Sequence, residues 1–405
     1  MLWIVRRNIE RGAGDYGSGH DRGQHRFRSN NPDSENASCA ADAPCPTVEC
    51  RRAGRCASTA VGTRDRSWRP KMVTIADVAR DAGVSASTVS YVLSGKRSIS
   101  PDTRRRVEAS IRRLGYHPHA GARALASSRT NVLALVVPLR ADIHVPVVMR
   151  FVTSVVTAAR EHDHDVLLLT NDEGPDGLRR VAASAIADAI LVMDVEADEP
   201  RIPVLRSLLR PAVLIGVPDD PEDLSCVDLD FHAAAGRSVH HLADLRHTEI
   251  GLVGPSPAVY ERGTSFAGRF LRGFTGAAAE RGLETTTLPC PPDYEAVRDC
   301  LDRMFAERPG ITGLVVHNEA VLGTVLSECH RRGRRVPDDI SVVAVCPEDM
   351  AHSFPVPLTT VAIPSDEVGR IAVDMVIRKL NGVTAPEVRL LSPRLHQAGS
   401  TAPRG

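Results

Sequence analysis

The chain of 405 residues is predicted to form a small α-helical head and a two-lobed α/β core with parallel sheets, preceded by a disordered extension. Residues 1–71 have almost no periodic apolar pattern, which predicts disorder. From Thr74 onward, apolar residues recur at helical spacing within a short basic block. From Asn131 onward, apolar runs of strand length alternate with helical segments in two successive series, which is typical of parallel sheets covered by helices on both faces.

Length and composition indicate a globular protein with more than one hydrophobic core, because 42% of the residues are hydrophobic. No apolar run approaches the roughly 18 residues that a membrane span requires. The first ten residues contain Arg6, Arg7 and Glu10 after a very short apolar stretch, unlike the core of a signal peptide. We therefore expect a cytoplasmic protein.

Of the nine cysteines, the five in the body of the chain are interpreted as reduced thiols that mostly serve packing, because they show no C-x-x-C spacing. They are Cys226, Cys290, Cys300, Cys329 and Cys346. Four more lie in the extension, at Cys39, Cys45, Cys50 and Cys56. Their spacing matches no zinc pattern, and no histidine lies at a useful offset. A structural or incidental role is favoured over a metal site, and no metal or cofactor is expected.

The head is predicted to hold a helix-turn-helix within residues 72–117. Thr74 and Asp77 form an N-cap pattern at the start of the first helix. Apolar residues at helical spacing follow at Ile75, Val78, Ala79 and Ala82. Gly83 allows a tight turn, and Ser85 can cap the second helix. The buried side of that helix is predicted at Val89, Val92 and Leu93. Two short helices joined by a turn that contains glycine define this motif.

A third helix is predicted from about Pro101, with apolar and basic residues on opposite sides. Its inner side has Val107, Ile111 and Leu114, and its outer side has Arg104, Arg105, Arg106, Arg112 and Arg113. Between Met72 and Thr130 there are ten Lys or Arg against four Asp or Glu, although the formal net charge of the whole chain is zero. A basic module of this kind, balanced by an acidic remainder, is expected of a protein that binds nucleic acid.

Two interpretations of the extension, residues 1–71, stay open. The helical signal begins two residues after Met72, so the extension can result from a mis-assigned start codon upstream. Alternatively, it is a genuine basic arm that adds non-specific affinity for DNA.

The core is predicted over residues 131–402, after a hinge helix and linker at 118–130. Predicted strands are 132–137, 166–169, 189–193, 212–217, 250–253, 313–316 and 341–345. Predicted helices are 147–159, 203–209, 270–281, 320–331 and 366–380. We expect one lobe from residues 131–230 and 360–402, and the other from 231–359, with a cleft between them.

The run VTIADVARDAGVSASTVSYVLSGKRSISPDTRRRVEASIRRLGYHPHAGARALAS resembles the DNA-binding head of the LacI/GalR repressors almost position for position. Downstream, LVVHNEAVLG, RRVPDDISVVAV, PLTTVAIPSDEVGRIAVDMVIRKLNG and GSTAP resemble the same family's effector-binding core, which is similar to periplasmic binding proteins. The resemblance covers about residues 72–402. It implies a transcriptional regulator, a repressor, that binds a pseudo-palindromic operator as a homodimer and responds to a small-molecule effector such as a sugar or related metabolite. No leucine heptad follows the core, which favours a dimer over a tetramer.

The exposed positions of the second helix are the predicted base contacts, because a recognition helix enters the major groove with its N-terminal side chains at base edges. They are Ala86, Ser87 and Tyr91. Phosphate contacts are predicted for the surrounding hydroxyls: Thr74, Ser85, Thr88, Ser90, Ser94, Ser100, Thr103 and Tyr116. The same hydroxyls can instead cap helices, and for Thr74 and Ser85 both roles can hold.

By the same resemblance, residues 118–126 form a hinge helix that folds when it is paired across the dimer on DNA. Leu125 would insert into a central minor-groove step, with Ala122 nearby. Gly121 stands where a better helix former is usual, which costs about 1 kcal/mol relative to alanine. We therefore expect a looser hinge than is usual in the family. A simple linker leucine is the alternative.

In the core, the candidate effector contacts are Arg269, Arg272, Asn318, Glu319 and Cys346. Phe270 occupies the position at which the family commonly has a ligand-binding arginine, so the two arginines beside it are the candidates. Asn318 and Glu319 follow a predicted strand, at the edge where open α/β sheets place ligand contacts. A turn or cap role is the alternative for Asn318.

Two other classes of function are less favoured by the sequence. A solute-binding protein for uptake would share the core, but it would need an export signal and no basic head. An enzyme is not indicated, because the sequence contains no P-loop, no G-x-S-x-G and no H-E-x-x-H. No catalytic residues are expected, and a DNA-binding regulator would be associated with the nucleoid in the cytoplasm.

Removal of residues 1–70 is expected to leave operator specificity unchanged, because the predicted head begins at Met72. The full chain and the shortened chain would each be used to select bound fragments from genomic DNA. The same sequence motif is expected from both. Loss of the site preference in the shortened chain would rule out a mis-assigned start.

Overall fold

The computed structural model describes residues 73–94, 97–116, 129–140, 142–184 and 186–404. The predicted extension and hinge helix lie outside these residues, and so do Ala122 and Leu125. The described residues form a helical head and a core with two six-stranded sheets. The predicted fold class is confirmed for the head and the two-lobed core.

The head consists of three helices around a small apolar core. They are α1 (Ile75–Ala82), α2 (Ala86–Ser94) and α3 (Pro101–Leu114). The predicted capping box is present, since the Asp77 amide donates to the Thr74 hydroxyl at 3.3 Å and the Thr74 amide donates to the Asp77 carboxylate at 3.0 Å. Gly83 ends α1 in the left-handed conformation, with φ of 65°, and so allows the sharp turn into α2. Each helix contributes one fully buried valine: Val78, Val89 and Val107.

The first sheet of the core is parallel throughout. Numbered in chain order, its strands are β1 (Val132–Val136), β2 (Asp165–Leu169), β3 (Ala189–Val192), β4 (Ala212–Ile215), β5 (Ser225–Leu229) and β11 (Val388–Leu391). Their order in the sheet is β11-β5-β4-β3-β1-β2. The helices of this lobe are α4 (Val145–Glu161), α5 (Gly174–Ser184), α6 (Ile202–Ser207) and α13 (Ser365–Leu380).

The second sheet has one antiparallel edge. Its strands are β6 (Glu249–Gly254), β7 (Glu284–Pro289), β8 (Gly313–Val316), β9 (Ser341–Cys346), β10 (Thr359–Ala362) and β12 (Leu395–His396). Their order is β12-β10-β9-β8-β6-β7, and β12 runs antiparallel to β10. The helices of this lobe are α7 (Phe231–Asp244), α8 (Pro257–Glu261), α9 (Ser265–Glu280), α10 (Tyr294–Glu307), α11 (Leu322–Arg331) and α12 (Glu348–His352), with a 3₁₀ turn at Glu319–Val321.

The central strands are apolar along their whole length because helices cover both faces of each sheet. Every residue of β3, β4 and β8 is buried. A strand with two covered faces needs no alternation of polar and apolar residues, and continuous apolar runs follow from that. This explains why these strands were predicted correctly from the sequence.

The predicted division between the lobes is wrong after residue 359. We expected residues 360–402 in the first lobe, but β10 and β12 belong to the second sheet, and the first lobe receives α13 and β11. The chain therefore crosses between the lobes a third time, between β11 and β12. Ser400 fixes the chain end in the second lobe, where its hydroxyl donates to the Val342 carbonyl at 2.6 Å and accepts from the Thr359 amide at 2.8 Å.

The five cysteines of the body are buried free thiols. This agrees with the interpretation that they serve packing. Among the described residues, no group of three or more His, Cys, Asp or Glu is arranged to hold a metal ion. Within the same residues, no helix has the length and apolar character needed to cross a bilayer.

Two glycines of α9 make a matched test of the packing between α7 and α9. A Cβ at Gly273 would lie 2.2 Å from the His232 carbonyl oxygen, whereas a Cβ at Gly276 would meet no atom within 4 Å. Gly273→Ala is therefore expected to lower the free energy of unfolding by about 1 to 3 kcal/mol through overpacking. Gly276→Ala is expected to raise it by up to about 1 kcal/mol, because alanine favours a helix. Urea unfolding of both variants would check this, and a stable Gly273→Ala would contradict the close approach.

Candidate functional site

The predicted base contacts lie together on the outer side of α2. Ala86, Ser87 and Tyr91 are exposed, while Val89 and Val92 of the same helix are buried in the head. Leu93, predicted on the buried side, is 40% exposed instead, so the helix presents small, aromatic and aliphatic side chains to solvent. A face of this kind can approach base edges without loss of core contacts.

The start of α2 is fixed by its own hydroxyls. The Ser85 hydroxyl accepts from the Thr88 amide at 3.1 Å, and it lies 2.8 Å from both the Ser87 and the Thr88 hydroxyl. Ser85 is thus an N-cap, as predicted. The cap holds Ser87 at the exposed N-terminal turn, which is the part of a recognition helix that reaches into a groove.

The hydroxyls that were predicted to contact phosphate do not share one environment. Thr74 and Ser100 are exposed N-caps of α1 and α3, and Thr103 lies beside Ser100, with 2.9 Å between their hydroxyls. Thr88, Ser90 and Thr103 are half-buried, and Ser94 ends α2. Tyr116 differs from the rest, because it is only 6% exposed and packs in the core of the head.

The basic side chains of the head are partly free for an anionic partner. The Arg97 guanidinium lies over the Tyr91 ring, 5.6 Å from its centroid, and Arg113 pairs with Asp81 between α3 and α1. Arg104 and Arg112 on the outer side of α3 are exposed. No carboxylate of the described residues lies within ion-pair distance of these two arginines, so they can meet phosphate without breaking an existing bond.

A second candidate site is a cavity of about 470 Å³ between the two lobes of the core. It lies where strands of both sheets end. The walls include Val137 after β1, Gly216 after β4, Pro255 after β6 and His317 after β8. The carboxyl edge of an open α/β sheet is the usual place for a ligand, and here two such edges face each other.

Two of the five candidate effector residues line this cavity. They are Asn318 and Glu319. The Asn318 amide donates to the carbonyls of Cys290 at 2.8 Å and Gly254 at 3.3 Å, so it also holds neighbouring loops in place. Glu319 is half-buried, and burial raises the pKa of its carboxyl to about 7.

The other three candidates do not belong to the cavity lining. The Arg269 guanidinium donates to the Asp228 carboxylate at 2.8 Å and to the Leu229 carbonyl at 3.0 Å. Arg272 is exposed and lies 3.7 Å from the carboxylate of Asp219. Cys346 is fully buried, which raises the pKa of its thiol to about 12. Phe270 itself is buried in the hydrophobic core and does not line the cavity, so a position beside it in sequence does not place an arginine there.

Arg262 is the arginine that the structure places in the cavity wall, and the sequence analysis missed it. It belongs to the second lobe and binds Asp142 of the first lobe at 3.0 Å, while Asp194 lies 3.9 Å from its Nε atom. Arg262 directly follows α8, the short helix after β6, so a search of the segment between β6 and α9 could have found it. Its partners come from segments far away in sequence, and no local pattern reveals them.

An aromatic cluster closes one side of the cavity. His317 lies 4.0 Å from Phe270, 5.5 Å from Phe266 and 5.6 Å from Phe231, measured between ring centroids. Burial lowers the pKa of His317 to about 3, so this histidine is neutral. Burial also lowers the pKa of His144, on the opposite lobe. Neither histidine was a candidate from sequence.

Two family models match the chain. Residues 74–119 match the model of bacterial regulatory proteins of the lacI family, and residues 239–401 match that of a periplasmic binding protein-like domain. The regulator AglR of Rhizobium meliloti is 30% identical over 350 residues, which cover 82% of this chain and 95% of AglR. The ribose operon repressor of Escherichia coli is 26% identical over 342 residues, which cover 81% of this chain and all of the repressor.

Solved structures show the same fold. The lac repressor dimer bound to operator and the anti-inducer ONPF aligns with a TM-score of 0.72 and 23% identity, over 82% of this chain and 100% of the repressor. The complex of the regulator CelR with cellobiose aligns with a TM-score of 0.59 and 24% identity, over 81% of this chain and 99% of CelR. Both alignments include head and core.

The two arginines beside Phe270 make a matched test of the ion pair with Asp228. Arg269→Met would leave a buried carboxylate unpaired and is expected to lower the free energy of unfolding by about 3 kcal/mol, whereas Arg272→Met should change it by less than about 0.5 kcal/mol. Burial already raises the pKa of Asp228 from 3.8 to about 6, against the opposing effect of Arg269.

The pH dependence of this pair has a definite sign. A carboxyl with a raised pKa in the folded chain opposes folding as it ionises, and loss of Arg269 raises that pKa further. The Arg269→Met defect should therefore be smaller at pH 5 than at pH 8, as measured by urea unfolding. Equal defects at both values would contradict an ion pair as the cause.

Proposed function

The chain belongs to the LacI family of bacterial regulatory proteins, and on that premise we propose that it binds a pseudo-palindromic operator as a homodimer. We propose further that α2 contacts the bases and that a small molecule in the cavity between the lobes controls DNA binding. As a member of this family it is a DNA-binding transcriptional regulator. The observation that supports α2 as the reading helix is its exposed N-terminal face, at Ala86 and Ser87. Arg104 and Arg112 of α3, exposed and with no carboxylate of the described residues within ion-pair distance, add positive charge to the same head.

The proposed base contacts and phosphate contacts of the head are assigned from the exposure of its side chains. Ser87 and Tyr91, together with Ala86, read base edges in the major groove. The exposed hydroxyls of Thr74, Ser85 and Ser100 cap helices and contact phosphate at the same time. Tyr116 is buried, so we propose that its ring holds α3 in position. Its hydroxyl is the weakest of the proposed phosphate contacts.

The proposed hinge lies outside the described residues. By family resemblance, Leu125 inserts into the minor groove and Ala122 lies beside it. Two-fold symmetry of the dimer then requires an operator with two-fold symmetry. In the same way we propose domain limits at residues 72–117 for the head, 118–130 for the hinge and linker, and 131–402 for the core.

The proposed control of DNA binding uses the contacts between the lobes. Arg262 with Asp142 and Arg269 with Asp228 join the second lobe to the first, and all of these residues except Arg269 line the cavity. A ligand that binds beside these pairs favours one relative position of the lobes over another. Such a coupling between two sites typically amounts to about 1 to 3 kcal/mol. Relatives named as repressors, among them the ribose operon repressor, support repression as the output.

Two alternative functions are less well supported than a DNA-binding regulator. A solute-binding protein for uptake would have no use for a basic helix-turn-helix head. An enzyme is not supported, because the relatives that match over most of the chain are named as transcriptional regulators. A regulator that must reach chromosomal DNA acts in the cytoplasm, at the nucleoid, and we propose that location.

The most direct test of the function is the selection of bound fragments from genomic DNA with the purified full chain at moderate ionic strength. A pseudo-palindromic motif is the expected result, bound with steep salt dependence. The absence of any sequence preference, with and without candidate metabolites, would refute the proposal.

Two serines of α2 separate base reading from phosphate contact. Ser87→Ala is expected to change the ranking of operator variants at one base pair of each half-site, by about 1 to 3 kcal/mol. Ser90→Ala is expected to weaken binding to all duplexes about equally. Fluorescence anisotropy with a panel of single-base operator variants would measure both. A uniform loss for Ser87→Ala would show that it does not read a base.

A further inference from the structure

The polar groups of the cavity indicate the chemical class of the effector, an inference that rests on the regulatory function proposed above. A buried ligand needs a partner for each of its polar groups, because an unsatisfied buried hydroxyl or amide costs free energy. The side chains that remain unpaired in the cavity therefore limit what can bind there.

Most of the cavity wall is apolar. Aliphatic and aromatic side chains from both lobes form it, among them Val137, Val147, Phe151, Phe231, Val259 and Phe266. A sugar carries a hydroxyl on most of its carbons and would bury many of them against these side chains. The wall matches instead a ligand with a substantial apolar body.

Three of the acidic side chains in the wall already have an arginine partner. Asp142 and Asp194 lie beside Arg262. Asp194 also pairs with Arg140, which lies outside the cavity wall. Asp228 is held by Arg269, 2.8 Å away.

Asn318 is occupied in a similar way. Its side-chain NH₂ group donates to two backbone carbonyls, those of Cys290 and Gly254. Only its own carbonyl oxygen remains for a ligand. Three nitrogen atoms in the wall are buried without a hydrogen-bond partner in the described part of the chain: His144 Nδ1, His317 Nδ1 and Arg262 Nε.

The Glu319 carboxyl is the exception among the acidic groups. Among the described residues, no basic side chain lies within ion-pair distance of it. Three of the four carboxyls in the wall have an arginine partner, and the two histidines are neutral, so no side chain of the described wall pairs with ionised Glu319. Burial of an unpaired carboxylate is unfavourable, and this is the physical reason for the raised pKa of Glu319.

A cationic ligand would give Glu319 the ion-pair partner that it lacks among the described residues. An ammonium group donates to a carboxylate through a charge-assisted hydrogen bond, and it is attracted to the faces of aromatic rings. Phe231, Phe266 and His317 form such an aromatic wall in the same cavity. We propose that the effector is a hydrophobic organic amine, with its apolar body among the phenylalanines and its ammonium group bound by Glu319.

The test uses the full chain and three probes. They are phenethylamine, its neutral counterpart 2-phenylethanol, and cellobiose as a polar reference. Isothermal titration calorimetry on the wild-type chain is expected to give a Kd for phenethylamine at least about tenfold lower than for 2-phenylethanol. Cellobiose is expected to bind more weakly than either.

The matched variants are Glu319→Gln and Glu280→Gln. The substitution at Glu319 keeps the size of the side chain and removes its charge, and it should reduce the preference for the amine over the alcohol to less than about twofold. Glu280 is exposed at the end of α9 and lies outside the cavity wall, so its substitution should leave the preference unchanged. Thermal unfolding without ligand would show that both variants are folded.

The outcomes separate this proposal from the regulatory function. Equal affinity for amine and alcohol, an unchanged preference in Glu319→Gln, or tightest binding of cellobiose would each overturn the assignment of an amine. Failure of all three probes to bind would overturn it as well. Operator binding by the same protein samples would be unaffected by any of these results, and only its loss would refute the DNA-binding function.

Discussion

The parallel direction of the strands is the constraint on which the core and its cavity depend. Parallel neighbours require a crossover between them, and the crossovers place helices on both faces of each sheet. All carboxyl ends of a parallel sheet then lie at one edge, and in this chain the edges of two sheets face each other across the cavity. The residues that follow the strands are thus brought together although they come from distant parts of the sequence.

The head could be predicted almost completely from sequence, because local signals determine it. Thr74, Gly83 and Ser85 act within a few residues of their own positions, and each has the predicted role. Much of the core could not be predicted in this way. β5 contains the buried polar residues Ser225 and Asp228, so its sequence lacks the apolar run that predicts a buried strand. α7 is rich in histidine and small residues, which gives a weak helical signal. Packing against neighbouring elements stabilises both.

In the candidate site, too, residues with a nearby sequence signal could be predicted, and residues that depend on distant partners could not. Asn318 and Glu319 could be identified because they follow a clear strand and topology fixes where strand ends lie. Arg269 and Arg272 do not line the cavity, and neither does Phe270, because a position along a helix in sequence does not show which surface its side chain meets in the fold. Arg262 could not be identified as a link between the lobes, because its partners Asp142 and Asp194 are more than 60 residues away in sequence.

The position of Arg262 connects the chemistry of the cavity with the arrangement of the lobes. Its guanidinium belongs to the second lobe, its partner Asp142 belongs to the first, and its Nε atom lies in the cavity wall without a hydrogen bond. Any ligand that adds charge beside this pair changes the energy of the contact between the lobes, because Coulomb interactions are strong where water is excluded. A positive ligand would pair with Glu319 and leave the Arg262 pair intact. A negative ligand would compete with Asp142 for the arginine, and the two charges would therefore favour different positions of the lobes.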